Sequence, residues 1–123
     1  MKRLISNSDS IFGMANLTSN KSGLPVAIWS DHSGILRKVS HHNTPRVKIG
    51  FPGGHSISVT ISKNPHIVAK SPKITAKELQ DCNLGVEYVA RNYDIFLKHY
   101  MDTTDSFDDE DLFNALRARG EYK

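Results

Sequence analysis

Between Arg46 and Ser62 apolar and polar residues alternate on both sides of a single turn. Val47, Ile49 and Phe51 alternate with Arg46, Lys48 and Gly50, and Ile57, Val59 and Ile61 alternate with Ser56, Ser58, Thr60 and Ser62. Side chains of an extended chain point to opposite faces with a period of two, so these runs read as strands with one apolar and one polar face. Pro52-Gly53-Gly54-His55 supplies the turn between them, which makes the pair an antiparallel hairpin. The Val/Ile face of such a sheet has to be covered by another element.

That cover is encoded downstream, where the period changes. Thr75-Ala76-Lys77-Glu78 has the form of a capping box, in which the Thr hydroxyl and the Glu carboxylate satisfy orphan amides reciprocally. Leu79, Cys82, Val86, Val89, Ala90, Tyr93, Phe96, Leu97 and Tyr100 follow at spacings of three and four, one stripe of an amphipathic helix. Asn92 is a point of interruption, because Asn tolerates the left-handed conformation and Asp94 can cap a new turn. A last helix starts within 106–110 and ends at Gly120, with Asp108 to Asp111 at its positive end and Arg117 and Arg119 at its negative end.

Ahead of the hairpin the pattern is weaker. Leu24 to Trp29 and Ile35 to Val39 are two apolar runs around Asp31-His32-Ser33-Gly34, and read as a further hairpin. Residues 1–23, rich in Ser, Asn and Gly, read as a loosely held arm pinned at Phe12, with Met14 an alternative start. The expected architecture is α+β: an N-terminal arm over 1–23, then one domain over 24–123. In that domain a four-stranded antiparallel sheet is packed by a long helix, with a short acidic helix at one end.

At 123 residues the chain has room for one modest core. The single Cys82 excludes an internal disulfide and a Cys-based structural zinc site. No apolar run approaches the roughly 20 residues that span a bilayer, so no membrane association is expected. Polar Ser6 to Ser10 stands where a signal peptide would need an apolar stretch, which points to a cytoplasmic location, the host cytoplasm if the chain is phage encoded.

Charge is divided sharply along the chain. Residues 1–73 hold ten Lys or Arg against Asp9 and Asp31, a net of +8, and residues 74–123 hold six against eleven Asp or Glu, a net of −5. A basic half of this size suggests a polyanionic partner, and nucleic acid before others. Alternation puts Arg46 and Lys48 on one polar strand face. Arg37, Lys38, His41 and His42 are expected beside them, with Lys63, Lys70 and Lys73 in support. Side chains on neighbouring strands stand about 5–8 Å apart, comparable to the spacing of phosphates along a strand. Trp29 is the one strong candidate for base stacking, set against a place in the core, where a lone Trp more often sits. Phosphate contact is therefore better supported than base readout.

Three further patterns compete with this surface. Five of six histidines lie in the basic half, in segments that read as turns, yet none shows a zinc-type spacing, so no metal and no cofactor is expected. Asp31-His32-Ser33 places triad residue types side by side, but such groups normally converge through the fold, and a hydrolase on Asp31, His32 and His42 ranks third. At the acidic end, Asp105, Asp108, Asp109, Glu110 and Asp111 exceed what a helix start needs, and could imitate a nucleic-acid backbone for a basic protein.

The order of features from Leu24 to Tyr100 resembles a group of small uncharacterised bacterial and phage domains, often encoded near toxin–antitoxin genes. The matching pieces are His42-Asn43-Thr44-Pro45-Arg46, the hairpin through Ile61, and Asn92 to Leu97, with Arg46 standing where those domains have a second Pro. The small size, basic start and acidic end also resemble phage-encoded accessory proteins, including inhibitors of host defence. The resemblance implies no established activity. The first expectation is a non-enzymatic nucleic-acid-associated accessory protein. The alternative is an inhibitor whose acidic C-terminal helix docks on a host nucleic-acid-handling enzyme.

Overall fold

The structure, a computed structural model, describes residues 14–31, 44–102, 104 and 106–123. Strands β1 (Met14–Leu17), β2 (Ala27–Asp31), β3 (Arg46–Gly50), β4 (Ser56–Thr60) and β5 (Ile67–Lys70) form one antiparallel meander in chain order. A one-turn helix α1 (Ser19–Ser22) lies between β1 and β2. Three longer helices follow the sheet: α2 (Ala76–Arg91), α3 (Tyr93–Met101) and α4 (Asp109–Ala118).

The α+β class and the 46–62 hairpin stand as expected. Val47 pairs with Val59 and Ile49 with Ile57, all four fully or nearly fully buried. Phe51 N–H donates to His55 C=O at 2.9 Å across the turn, and Gly54 takes a φ of 95°, where a Cβ would be strained.

Other expectations change. The sheet has five strands among the described residues, not four. β1 comes from the stretch expected as an arm, because Ala15 and Leu17 are buried and pair along β2. Both edges of β2 are taken, by β1 and β3. Ile35–Val39, expected as its hairpin partner, lies outside the described residues, as does Phe12. β5 is an edge strand whose Ile67 and Val68 are exposed.

The expected long helix is two helices meeting at Asn92. That residue sits at φ −119°, ψ 24°, outside the left-handed region, so the break has another cause. The buried side chain itself is bonded into tertiary structure: Nδ2 donates to Tyr88 C=O at 3.0 Å and Glu121 Oε2 at 3.2 Å, and Oδ1 accepts from Arg119 Nη1 at 3.2 Å. Both capping boxes form, Thr75 with Glu78 and Asp108 with Asp111.

The core lies between the inner sheet face and the helices. Leu17, Ile28, Val47, Ile49, Ile57 and Val59 face Tyr88, Val89, Phe96, Leu112 and Leu116. Gly85 permits the close approach of α2, since a Cβ there would lie 3.1 Å from Ile49 Cδ1 and 3.3 Å from Val26 Cγ2. Leu79, assigned to the apolar stripe, is 41% exposed, because the buried face runs instead through Cys82, Gly85, Tyr88 and Val89. No helix among the described residues is long and apolar enough to cross a membrane.

Candidate nucleic-acid interface

The helices cover one side of the sheet, and among the described residues no element packs over the other face. Register defines a row across it: Asn16 opposite Trp29, Trp29 opposite Lys48, Lys48 opposite Ser58 and Ser58 opposite Ala69. Arg46 stands opposite Thr60, and Gly50 opposite both Ala27 and Ser56. Residues so paired share a face, with Cβ atoms about 4.5–5.5 Å apart. The paired positions on this face are Ser56, Ser58 and Thr60 of β4 and Ala69 of β5, small side chains that let a ligand backbone come close to the strands. Lys48 is exposed and Arg46 half-buried, and no ion pair engages either among the described residues.

Trp29, the stacking candidate set against a place in the core, lies on this face. Its neighbours Ile28 and Ser30 are fully buried, whereas Trp29 turns outward beside Lys48 and is half-buried rather than in the core. Its indole leans on Gly50, where an added Cβ would lie 3.2 Å from Nε1. Trp29 borders a hollow of about 320 Å³ at the end of the face, with Asn16, Thr18, Ser19, Pro25 and Pro52 around it. A sequence signal existed: Val26, Ile28 and Ser30 hold the inward positions, leaving Ala27, Trp29 and Asp31 outward. Apolar residues at both parities leave the choice between the two faces open in the sequence.

The other described basic candidates, Lys63, Lys70 and Lys73, stand off this face. Lys63 Nζ lies 5.8 Å from the Tyr93 ring centroid, on the helix side. Lys70 pairs opposite buried Ile57, so it leaves β5 on the core side. Lys73 occupies the turn before α2 at φ 63°. Arg37, Lys38, His41 and His42 lie outside the described residues.

The acidic helix start is largely occupied with internal bonds. Asp108 and Asp111 cap α4 reciprocally, Glu110 lies 3.5 Å from Arg117, and Asp109 Oδ1 lies 2.8 Å from His99 Nε2. Asp105 is outside the described residues. His99 is fully buried, and its Nδ1 lies 2.8 Å from the hydroxyl of fully buried Ser30. Ser30, His99 and Asp109 thus contain triad residue types in hydrogen-bonded order. A fully buried serine hydroxyl cannot meet a substrate, so this relay ties β2 to α3 and α4 rather than forming an active site. Of the hydrolase candidates, Asp31 ends β2, and His32, Ser33 and His42 lie outside the described residues.

A second polar cluster closes the chain. Arg91 holds Glu121 bidentately at 2.9 and 3.1 Å, Arg119 holds Asp94 at 2.9 and 2.6 Å, and Asn92 bridges the pairs. The Arg91 guanidinium keeps the Glu121 carboxyl below its usual range, and Arg119 does the same for Asp94. The hollow beside them measures about 650 Å³, but its two cations and two anions neutralise each other. His55 is within 2.9 Å of Glu78, whose carboxyl is held low first by the Thr75 amide and then by His55. Burial pushes the Cys82 thiol up, away from nucleophilic use. No group of three His, Cys, Asp or Glu side chains among the described residues could hold a metal ion. Comparison with protein-family models, with curated proteins and with solved structures finds no match to this chain.

Proposed function

We propose that this protein binds nucleic acid on the open sheet face, with Lys48 and Arg46 on backbone phosphates. The observation that carries the reading is a pair of cations without carboxylate partners among the described residues, on a face of small side chains, directly beside an outward Trp29. Unpaired cations attract a polyanion without first breaking an ion pair, and small neighbours let the phosphates approach. The +8 of residues 1–73 supplies the wider field. Lys63, Lys70 and Lys73, standing off this face, contribute to that field rather than to contact. The acidic helix fits a protein-docking role less well, because its described carboxylates already serve the capping box, His99 and Arg117.

The test is charge reversal. Arg46→Glu with Lys48→Glu should weaken binding to a random-sequence oligonucleotide and flatten its salt dependence. Two lost phosphate contacts lower the log–log slope by roughly 1.4–1.8, at about 0.7–0.9 each. Melting should change little, since neither side chain is buried. Parental affinity and slope in the double variant would remove this face from the account.

A further inference from the structure

We infer that the hollow at Trp29 takes one unpaired base, so that the ligand of this face is a single strand rather than a duplex. The inference rests on the nucleic-acid reading above and adds what part of the polymer is gripped. Three observations support it. Trp29 borders a hollow of about 320 Å³, room for one heterocycle against an aromatic wall. The indole Nε1–H has no acceptor among the described residues, which leaves a donor for a base carbonyl or phosphate oxygen. Lys48 is the direct cross-strand neighbour of Trp29, so a nucleotide with its base at the indole has its phosphate within reach of a cation.

Gly50 is part of the device. The indole lies against its bare Cα, so a side chain there would force the ring to move. Asn16 and Thr18 border the same hollow, and their side-chain polar groups have no protein partner among the described residues. They can bond the edge of a seated base. Bases in a duplex are stacked on one another with their faces covered, so only a strand with free bases can fill this hollow. Stacking on one aromatic tolerates any base, and general single-strand binding is expected rather than a sequence motif.

The chain has one Trp, so fluorescence excited at wavelengths too long for its tyrosines reports this hollow alone. A short oligothymidylate should quench it, and a blunt duplex of equal length should quench it much less. Anisotropy with labelled oligonucleotides then separates the two gripping elements. Trp29→Ala should weaken single-strand binding about 10-fold or more, leave duplex binding unchanged and leave the salt slope intact. Trp29→Phe should keep most of the affinity, and its retained fold guards against a collapse caused by the Ala variant. Absence of quenching, together with unchanged single-strand affinity in both Trp29 variants, would overturn the base hollow. If Arg46→Glu with Lys48→Glu still lowers affinity in that case, the phosphate reading survives. If it does not, both fall.

Discussion

Val59→Asp is expected to unfold this protein, and Thr60→Asp, one residue along the same strand, to leave it folded. Val59 is fully buried opposite Val47, on the sheet face that meets α2 and α3. A carboxylate there lies among apolar side chains, with no cation beside it among the described residues and no access to water. An uncompensated buried charge costs several kcal/mol, against a total stability of about 5–15 kcal/mol for a domain of this kind. Thr60 points the other way, opposite Arg46, and its Oγ1 accepts from His66 N–H at 2.9 Å. An Asp at that position keeps an acceptor, gains a cationic neighbour and stays in contact with solvent. Its cost should be within about 1 kcal/mol. Urea denaturation of the two variants measures the difference directly. Greater damage from Thr60→Asp would mean that the register of β3 and β4 is wrong.

The second large effect concerns the buried relay. Ser30 and His99 are both fully buried, and the imidazole bonds at both ends: Nδ1 lies 2.8 Å from the Ser30 hydroxyl and Nε2 2.8 Å from Asp109 Oδ1. His99→Leu keeps the volume and removes both bonds. The Ser30 hydroxyl is then stranded in the core, which costs about 1–3 kcal/mol. Asp109 is 40% exposed at its side chain and can turn to water, so most of the loss arises at the Ser30 end. Ser30→Ala with His99→Leu should therefore be less damaging than the sum of the two single changes, because the stranded group is gone. Strict additivity in denaturation midpoints would show that the two side chains do not depend on each other.

What could be read from the residues follows from how strongly each segment separates its two faces. β3 and β4 are half buried and half open, so alternation exposes them, and it correctly places Arg46 and Lys48 on the open side. β1 offers only Met14, Ala15, Asn16 and Leu17, too short for a period to declare itself. β5 is exposed throughout, so Ile67, Val68 and Ala69 carry no pattern of burial. Lys63, Lys70 and Lys73 belong to a loop, an edge and a turn, where alternation has no authority over direction. Trp29 stands out as a stacking candidate, but the side it faces is not legible, because Val26 to Trp29 is apolar at every position.

The helices repeat the lesson at a different period. The buried positions Gly85, Tyr88, Asn92, Phe96 and His99 follow spacings of three and four, and two of them are polar. A polar residue on an apolar stripe needs an internal partner, and here both have one. Counting only apolar residues placed exposed Leu79 on the stripe and left His99 off it. The bonds of Asn92 to Glu121 and Arg119 join segments some thirty residues apart, and local pattern holds no record of them.

Nucleic acid seated on this open sheet face should move the amide chemical shifts of its strands. A uniformly ¹⁵N-labelled sample is titrated with an unlabelled short single strand. The account predicts that the amides of Asn16, Trp29, Lys48 and Ser58, and the indole N–H of Trp29, move together and saturate at one stoichiometry, while those of α2 and α4 stay in place. Shifts concentrated on α4 with the strands unmoved, or no shifts at all, would contradict it.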